Sequence, residues 1–148
     1  MSMAKRSARA VWGGDLAGGS GTVGAGSGAF SDLAVSWSAR TEQPDGLTSP
    51  EELIAAAHAS CYAMACSNAL ASGGHAPERL EVTATCHLDQ ADPGVRISRV
   101  ELDVSGRVPG LDASGFQRAA EEGERGCPVS NALRGDVEIE LRARLEEG

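Results

Sequence analysis

Thr48-Ser49-Pro50-Glu51-Glu52-Leu53-Ile54-Ala55-Ala56-Ala57-His58-Ala59-Ser60-Cys61-Tyr62-Ala63-Met64 is the stretch from which the rest of the chain can be read. Three helix-start signals coincide in it. Ser49 suits the N-cap, Pro50 the first helical position, where its missing N–H costs no hydrogen bond, and Glu52 the closing side of a capping box. Good helix formers continue to about Ala71, and Ser72-Gly73-Gly74 provides the stop. Alanine on most sides makes this helix slim, so neighbouring backbones can approach it closely. It is expected to be the central helix and to suit packing against its counterpart in a second subunit.

Outward from that helix the chain reads as strands. Before it, Ala8-Arg9-Ala10-Val11-Trp12 ends at Gly13-Gly14, and Leu33, Val35, Trp37 and Ala39 alternate with polar residues, which predicts a β-meander. The Gly- and Ser-rich run from Gly18 to Gly28 reads either as a hairpin region or as a flexible loop over a pocket. It contains a formal G-x-G-x-x-G, Gly19 to Gly24, but Ala25-Gly26-Ser27-Gly28 cannot form the helix that a dinucleotide site requires next. After the helix, Val82, Ala84, Cys86 and Leu88 alternate as a half-buried strand that turns at Asp92-Pro93-Gly94. The returning strand changes phase, with Val95 and Ile97 odd but Val100, Leu102 and Val104 even, so a bulge is expected near Ser98-Arg99. Asp112 or Ser114 can cap a helix to about Glu124, Cys127 a short one beginning at Pro128, and Val137 to Leu145 alternate as a last strand. Helices and strands are partly segregated, which predicts an α+β fold with antiparallel sheets rather than a doubly wound parallel sheet, in a single domain spanning 1–148.

The 148-residue chain is 41% hydrophobic with five aromatic residues and 19 glycines, so its core must come from Ala, Val, Leu and Ile. A net charge of −8 disfavours nucleic acid, whose phosphates call for clustered Lys and Arg. No apolar run is read as approaching the roughly 18 residues of a membrane span, and the start Met1–Arg6 lacks the following apolar region of a signal peptide, which predicts a cytoplasmic protein. Four cysteines without a C-x-x-C pair then read as thiols rather than a disulfide framework.

The cysteines differ in context. Cys61, mid-helix, can be a small core residue or a reacting one. Cys127, ahead of Pro128, faces a helix N-terminus, whose unpaired N–H groups favour a thiolate and redox chemistry; mere backbone capping is the plainer alternative. Cys66 is turned by about 140° from Cys61 around the helix, so the two diverge, and Cys86 shares the apolar face of its strand. His58 lies three residues before Cys61, a spacing that admits a Cys–His hydrolase, although no third member or oxyanion turn accompanies it. With His75 and His87 the cysteines lack the paired spacing of a zinc site, and no cofactor is called for.

The segment from Thr48 to Ala65 resembles the T-N-P-E-E-L-I-x-A-A-H-A-A-C-F-S-M-A signature of the OsmC/Ohr family, and Gly126-Cys127-Pro128-Val129-Ser130-Asn131-Ala132-Leu133 resembles its second signature, G-C-P-V-S-x-x-L. The likeness extends to Ala10–Asp15 and Val108–Asp112, hence over nearly the whole chain, and His58 with the Glu51-Glu52 pair looks like the OsmC branch. Ser49, Ser60 and Tyr62 replace the usual Asn, Ala and Phe; none of these changes removes a reacting group. The resemblance implies an organic hydroperoxide reductase acting as an intertwined two-fold homodimer. In it Cys61 is the peroxidatic cysteine, Cys127 the resolving one, Glu51 a carboxylate partner and Arg40 the matching arginine, with Arg6 and Arg9 as alternatives nearer the N-terminus. It also implies a dihydrolipoyl dithiol as reductant. Glu51 and Cys61 should stand about 15 Å apart along one helix, beyond the reach of two short side chains. A composite site is therefore expected, with Arg40 and Glu51 of one subunit facing Cys61 and Cys127 of the other. A non-enzymatic dimeric module for apolar ligands is the alternative of a different class.

Overall fold

Local capping chemistry sets both ends of the long helix. In the computed structural model, which describes residues 2–147 and so leaves Met1 and Gly148 of the expected 1–148 domain outside, this helix runs from Pro50 to Ser72. The Glu52 amide donates to the Ser49 hydroxyl at 3.0 Å, as a capping box requires, but the Glu52 carboxylate accepts from Thr48 Oγ1 at 2.7 Å. At the far end His75 N–H reaches the Leu70 carbonyl at 2.9 Å and Gly74 N–H that of Ala71 at 3.0 Å, which satisfies the carbonyls a helix end leaves open.

The backbone divides into two compact units that meet in sequence between Leu53 and Ile54. The first holds β1 (Ala8–Gly13), β2 (Ser20–Ala25), β3 (Leu33–Val35), α1 (Trp37–Thr41) and the start of the long helix, α2 (Pro50–Ser72). Its strands form the expected meander, antiparallel in the order β1-β2-β3. Of the two readings of the glycine-rich run, the hairpin holds and the flexible loop does not, since over much of its length it supplies the central strand β2. Glycine serves there by leaving room: a Cβ at Gly21 would stand 2.7 Å from the ring of Trp12, its partner across the ladder. The alternation expected from Leu33 to Ala39 stops at Val35. Ser36 accepts the Ala39 amide at 3.1 Å and starts α1 instead, so a local cap overrides a period-2 pattern. Thr48 N–H then bonds the Ala34 carbonyl at 3.1 Å, which ties the approach to α2 to the edge of β3.

The second unit continues α2 and adds β4 (Arg79–Gln90), β5 (Val95–Arg107), α3 (Ala113–Gly126), α4 (Pro128–Leu133) and β6 (Glu138–Leu145). The β4–β5 hairpin carries the expected bulge: His87 pairs Arg99 but Leu88 pairs Ile97, leaving Ser98 as the extra residue, its hydroxyl donating to Asp89. One pairing departs from the antiparallel expectation. β6 lies parallel to β5, which the two helices between them permit, because a parallel partner needs a long crossover. Val100, Leu102 and Val104 of β5 point into the core with Tyr62, Cys66 and Leu70 of α2 and Phe116 and Ala120 of α3. Each large side chain so buried contributes about 1.5–3 kcal/mol. Asp112 caps α3 by accepting the Gly115 amide at 2.7 Å. At Gly123 α3 crosses α2 so closely that a Cβ would stand 2.8 Å from the Cys66 Cα.

α2 is long and apolar enough, by length and composition, to cross a membrane, contrary to the reading of its sequence. Within the second unit this helix contributes Tyr62, Cys66 and Leu70 to the buried core, and His58 is fully buried on it as well. The opposite side, Ala56, Ala57, Ser60, Met64, Asn68 and Ala71, is exposed at helical spacing.

Candidate active site

Two constellations hold the four residues singled out by sequence. In the second unit the end of α3 and the start of α4 bring Cys127 against the middle of α2. Its Sγ lies 3.5 Å from that of Cys61, across 66 positions of sequence. Both are thiols; Cys127 is fully buried and Cys61 partly exposed, so an oxidant from solvent can reach Cys61 but not its partner. Burial pushes the Cys61 thiol up from its ordinary value, the Val129 backbone amide pulls it down, and the neighbouring Cys127 adds to the rise. The start of α4 thus acts on Cys61, whereas Cys127, although it occupies the N-cap position, makes no side-chain cap. None of these influences is a cation.

In the first unit Arg40, from the last turn of α1, forms a bidentate pair with Glu51, from the first turn of α2. Nε stands 2.9 and 3.2 Å from the two carboxylate oxygens and Nη2 2.9 Å from the second. The Glu51 hydrogen bond raises the arginine pKa, opposed by desolvation and helped by the carboxylate charge, so the cation persists at any working pH. The guanidinium also lies 5.7 Å from the Trp37 ring centroid. Beside it is a cavity of about 360 Å³ lined by Trp12, Leu16, Val35, Trp37, Arg40 and Pro50. Arg6 and Arg9, the alternatives to Arg40, are exposed, and Arg6 donates to the Lys5 carbonyl.

His58 makes its hydrogen bond not to Cys61 but to Ser130 of α4, Nε2 to Oγ at 2.6 Å, and both are fully buried. Burial lowers its pKa, with the Glu124 charge opposing, so the ring is neutral near pH 7. A Cys–His dyad is therefore not assembled. Sequence reasoning missed this pair and the stacking of Trp37; the available signal was placement, His58 three residues before one key cysteine and Ser130 three after the other. Cys66 is buried in the core, where desolvation pushes its thiol up, and Cys86 lies on the core-facing side of β4. Among the described residues no group of three or more His, Cys, Asp or Glu side chains is arranged to hold a metal ion.

A family model described as OsmC-like protein matches residues 43–142. The chain is 38% identical over 136 residues to the peroxiredoxin OsmC of Escherichia coli strain K12, an alignment covering 92% of this chain and 94% of that protein. This chain belongs to the OsmC-like family. Another OsmC-like relative is the organic hydroperoxide resistance protein-like 1 of Staphylococcus epidermidis, 30% identical over 72% of this chain and 76% of the relative. Among solved structures, an organic hydroperoxide resistance protein from Elizabethkingia anophelis superposes with a TM-score of 0.79 at 25% identity, over 98% of this chain and 99% of that one. The OsmC-like fold so established is α+β, with two small sheets and a central helix.

Proposed function

We propose that this chain is a thiol peroxidase that reduces organic hydroperoxides to alcohols, with Cys61 attacking and Cys127 resolving. The observation that carries this reading is the reduced sulfur pair at 3.5 Å, one sulfur reachable and the other enclosed. The Cys61 thiolate attacks the distal peroxide oxygen. An S–O bond forms as the O–O bond breaks, sulfur gives up two electrons, and the alkoxide takes a proton to leave as alcohol. Cys127 then displaces hydroxide from the Cys61 sulfenic acid; its thiol proton leaves with that hydroxide as water and an S–S bond forms. A dithiol, on this reading dihydrolipoyl, reduces the disulfide by exchange and is itself oxidised to its cyclic disulfide.

Attack requires a thiolate, yet the influences on Cys61 within its own unit favour the thiol and include no cation. The site is accordingly completed by Arg40 and Glu51 of a second subunit in a two-fold homodimer, each chain acting as one functional domain. Helix geometry supports this arrangement, since ten residues at about 1.5 Å each would separate Glu51 from Cys61 by about 15 Å, beyond the reach of two short side chains. Glu51 orients the guanidinium and can release it once sulfur is oxidised. The Trp-lined cavity beside Arg40 favours apolar hydroperoxides, and the names of the relatives point to the same substrate class. Resting thiols suit a cytoplasmic setting.

The test is thiol counting after addition of cumene hydroperoxide. The protein should lose two thiols per chain and Cys61→Ser none. An apolar-ligand module keeps every thiol, and a hydrolase turns over esters after Cys127→Ser; either result overturns the proposal.

A further inference from the structure

We infer, resting on the peroxidase reading above, that His58 and Ser130 form a positioning pair that sets how fast Cys127 resolves oxidised Cys61. His58 lies on α2 one turn before Cys61, and Ser130 on α4 one turn after Cys127, so their hydrogen bond at 2.6 Å and the sulfur contact at 3.5 Å join the same two helices. The Val129 amide acts on Cys61 between them. α4 is six residues long and has no side-chain cap. Its other polar ties run to α3: the exposed bond from Asn131 Nδ2 to the Arg125 carbonyl at 3.0 Å, and, from the residue that follows α4, the half-exposed Arg134 to Glu124 at 2.8 Å. The His58–Ser130 bond is buried and joins α4 to the helix that carries the attacking sulfur.

Stability alone argues against these two residues. Burying an imidazole and a hydroxyl carries a desolvation cost that one hydrogen bond only partly offsets, and His58 Nδ1 has no hydrogen-bond partner among the described residues. An apolar side chain would fill the space without that cost. A short directional bond does what apolar packing does not: it holds its two ends within the narrow range of a hydrogen bond, and with them the two helices.

Resolution depends on that distance. The sulfurs must close from 3.5 Å to a bonded separation of about 2.0 Å, with Cys127 approaching the Cys61 sulfur opposite the departing hydroxide. If α4 drifts, the sulfenic acid persists and a second hydroperoxide oxidises it. That peroxide transfers its oxygen to sulfur, leaves as alcohol, and yields the sulfinic acid that Cys127 cannot reduce.

The experiment is single-turnover oxidation with cumene hydroperoxide, trapping the sulfenic acid with dimedone and weighing the protein to separate disulfide from sulfinic acid. Ser130→Ala and His58→Leu should still form the sulfenic acid but resolve it roughly tenfold more slowly, with a raised sulfinic fraction, because small misplacements cost heavily in such steps. Ser130→Thr and His58→Gln, which keep a hydroxyl and an Nε donor, should restore resolution. Melting temperatures identify any variant that is simply unfolded, and the Thr and Gln variants carry the test if an apolar one is. Ser130→Ala resolving at the parent rate, with an unchanged sulfinic fraction, overturns the inference. Diamide, which oxidises paired thiols without any peroxide, should give the same ranking of disulfide formation. A parent protein inert to hydroperoxide but ranked this way by diamide would sink the peroxidase reading and leave the positioning role standing.

Discussion

The two units of this chain differ in what they bury. From Ile54 onward, a sheet and three helices close on Tyr62, Leu70, Val100, Leu102, Val104 and Phe116, all essentially inaccessible. Up to Leu53, a three-stranded sheet buries only Ala39 and Glu51 among its described residues, all six residues of β1 are exposed, and Val11, Trp12 and Leu16 face outward. A unit of that size has too little interior to stabilise itself well. The first unit thus leaves apolar side chains in the open, as does the stripe on α2, where Met64 is 72% accessible; in the proposed two-fold dimer a second copy would cover them.

Breaking that stripe should have the largest effect. Met64→Glu places a charge where a dimer would exclude water, so the protein should run as a monomer in analytical ultracentrifugation. Peroxidase turnover should fall by about a hundredfold or more, as expected when an interface must desolvate an unpaired charge. A parent protein that is active yet monomeric at assay concentrations would show that no second copy is needed to cover this surface.

Next comes the division of labour between the units. Arg40→Met should slow the oxidation of Cys61 about 10–100-fold if, as proposed, its charge favours the thiolate. Dimers reassembled from equal amounts of Arg40→Met and Cys61→Ser chains should recover about a quarter of the parent activity, since half of the dimers are mixed and each has one intact site if the sites are composite. Recovery of nothing would place Arg40 and Cys61 in the service of the same chain.

Legibility from the sequence follows the range of the interaction. α2 was readable to within a residue because Ser49, Pro50 and Gly73-Gly74 act on neighbours, and the bulge at Ser98 because a change of phase is local. β2 was only half readable, as a hairpin region with a loop as the alternative, since its glycines acquire a purpose only against Trp12 on another strand, and α1 was hidden because Ser36 caps a helix inside an alternating pattern. The parallel β6 depends on a crossover through two helices, which alternation cannot report. The site residues were named by resemblance; their geometry, sulfurs 66 positions apart and His58–Ser130 72 apart, was beyond any local pattern.

The cation and the reacting sulfur belong to different units, and the pH dependence of the reaction should report on both. The Cys61 thiol is pushed up within its own unit, so without Arg40 the thiolate fraction, and with it the rate, should rise about tenfold per pH unit through neutrality, because each unit below a pKa costs a factor of ten in the ionised form. With Arg40 present the rise should level off at lower pH. Stopped-flow rates for the parent and for Arg40→Met from pH 5 to 9 measure the displacement, and superimposable profiles would remove Arg40 from thiolate stabilisation.

The smallest effect concerns stability. His58 is buried neutral, its folded pKa below the 6.5 of the free side chain, so in that window the unfolded chain binds the proton that the folded chain refuses. Stability from this group is complete above pH 6.5 and is lost as pH falls from there toward the folded value. Glu124 is the charge that opposes the shift, and it is itself paired with Arg134 at 2.8 Å. Between pH 7 and 5 the melting temperature should therefore fall by on the order of a few degrees on account of this residue, the scale on which a single buried group moves a domain of this size. His58→Gln keeps a donor for Ser130 but does not titrate, so its melting curve should be flatter over the same range. An equal slope in parent and variant would mean that His58 takes up its proton without leaving the fold, and that the core around Ser130 is wetter than its burial implies.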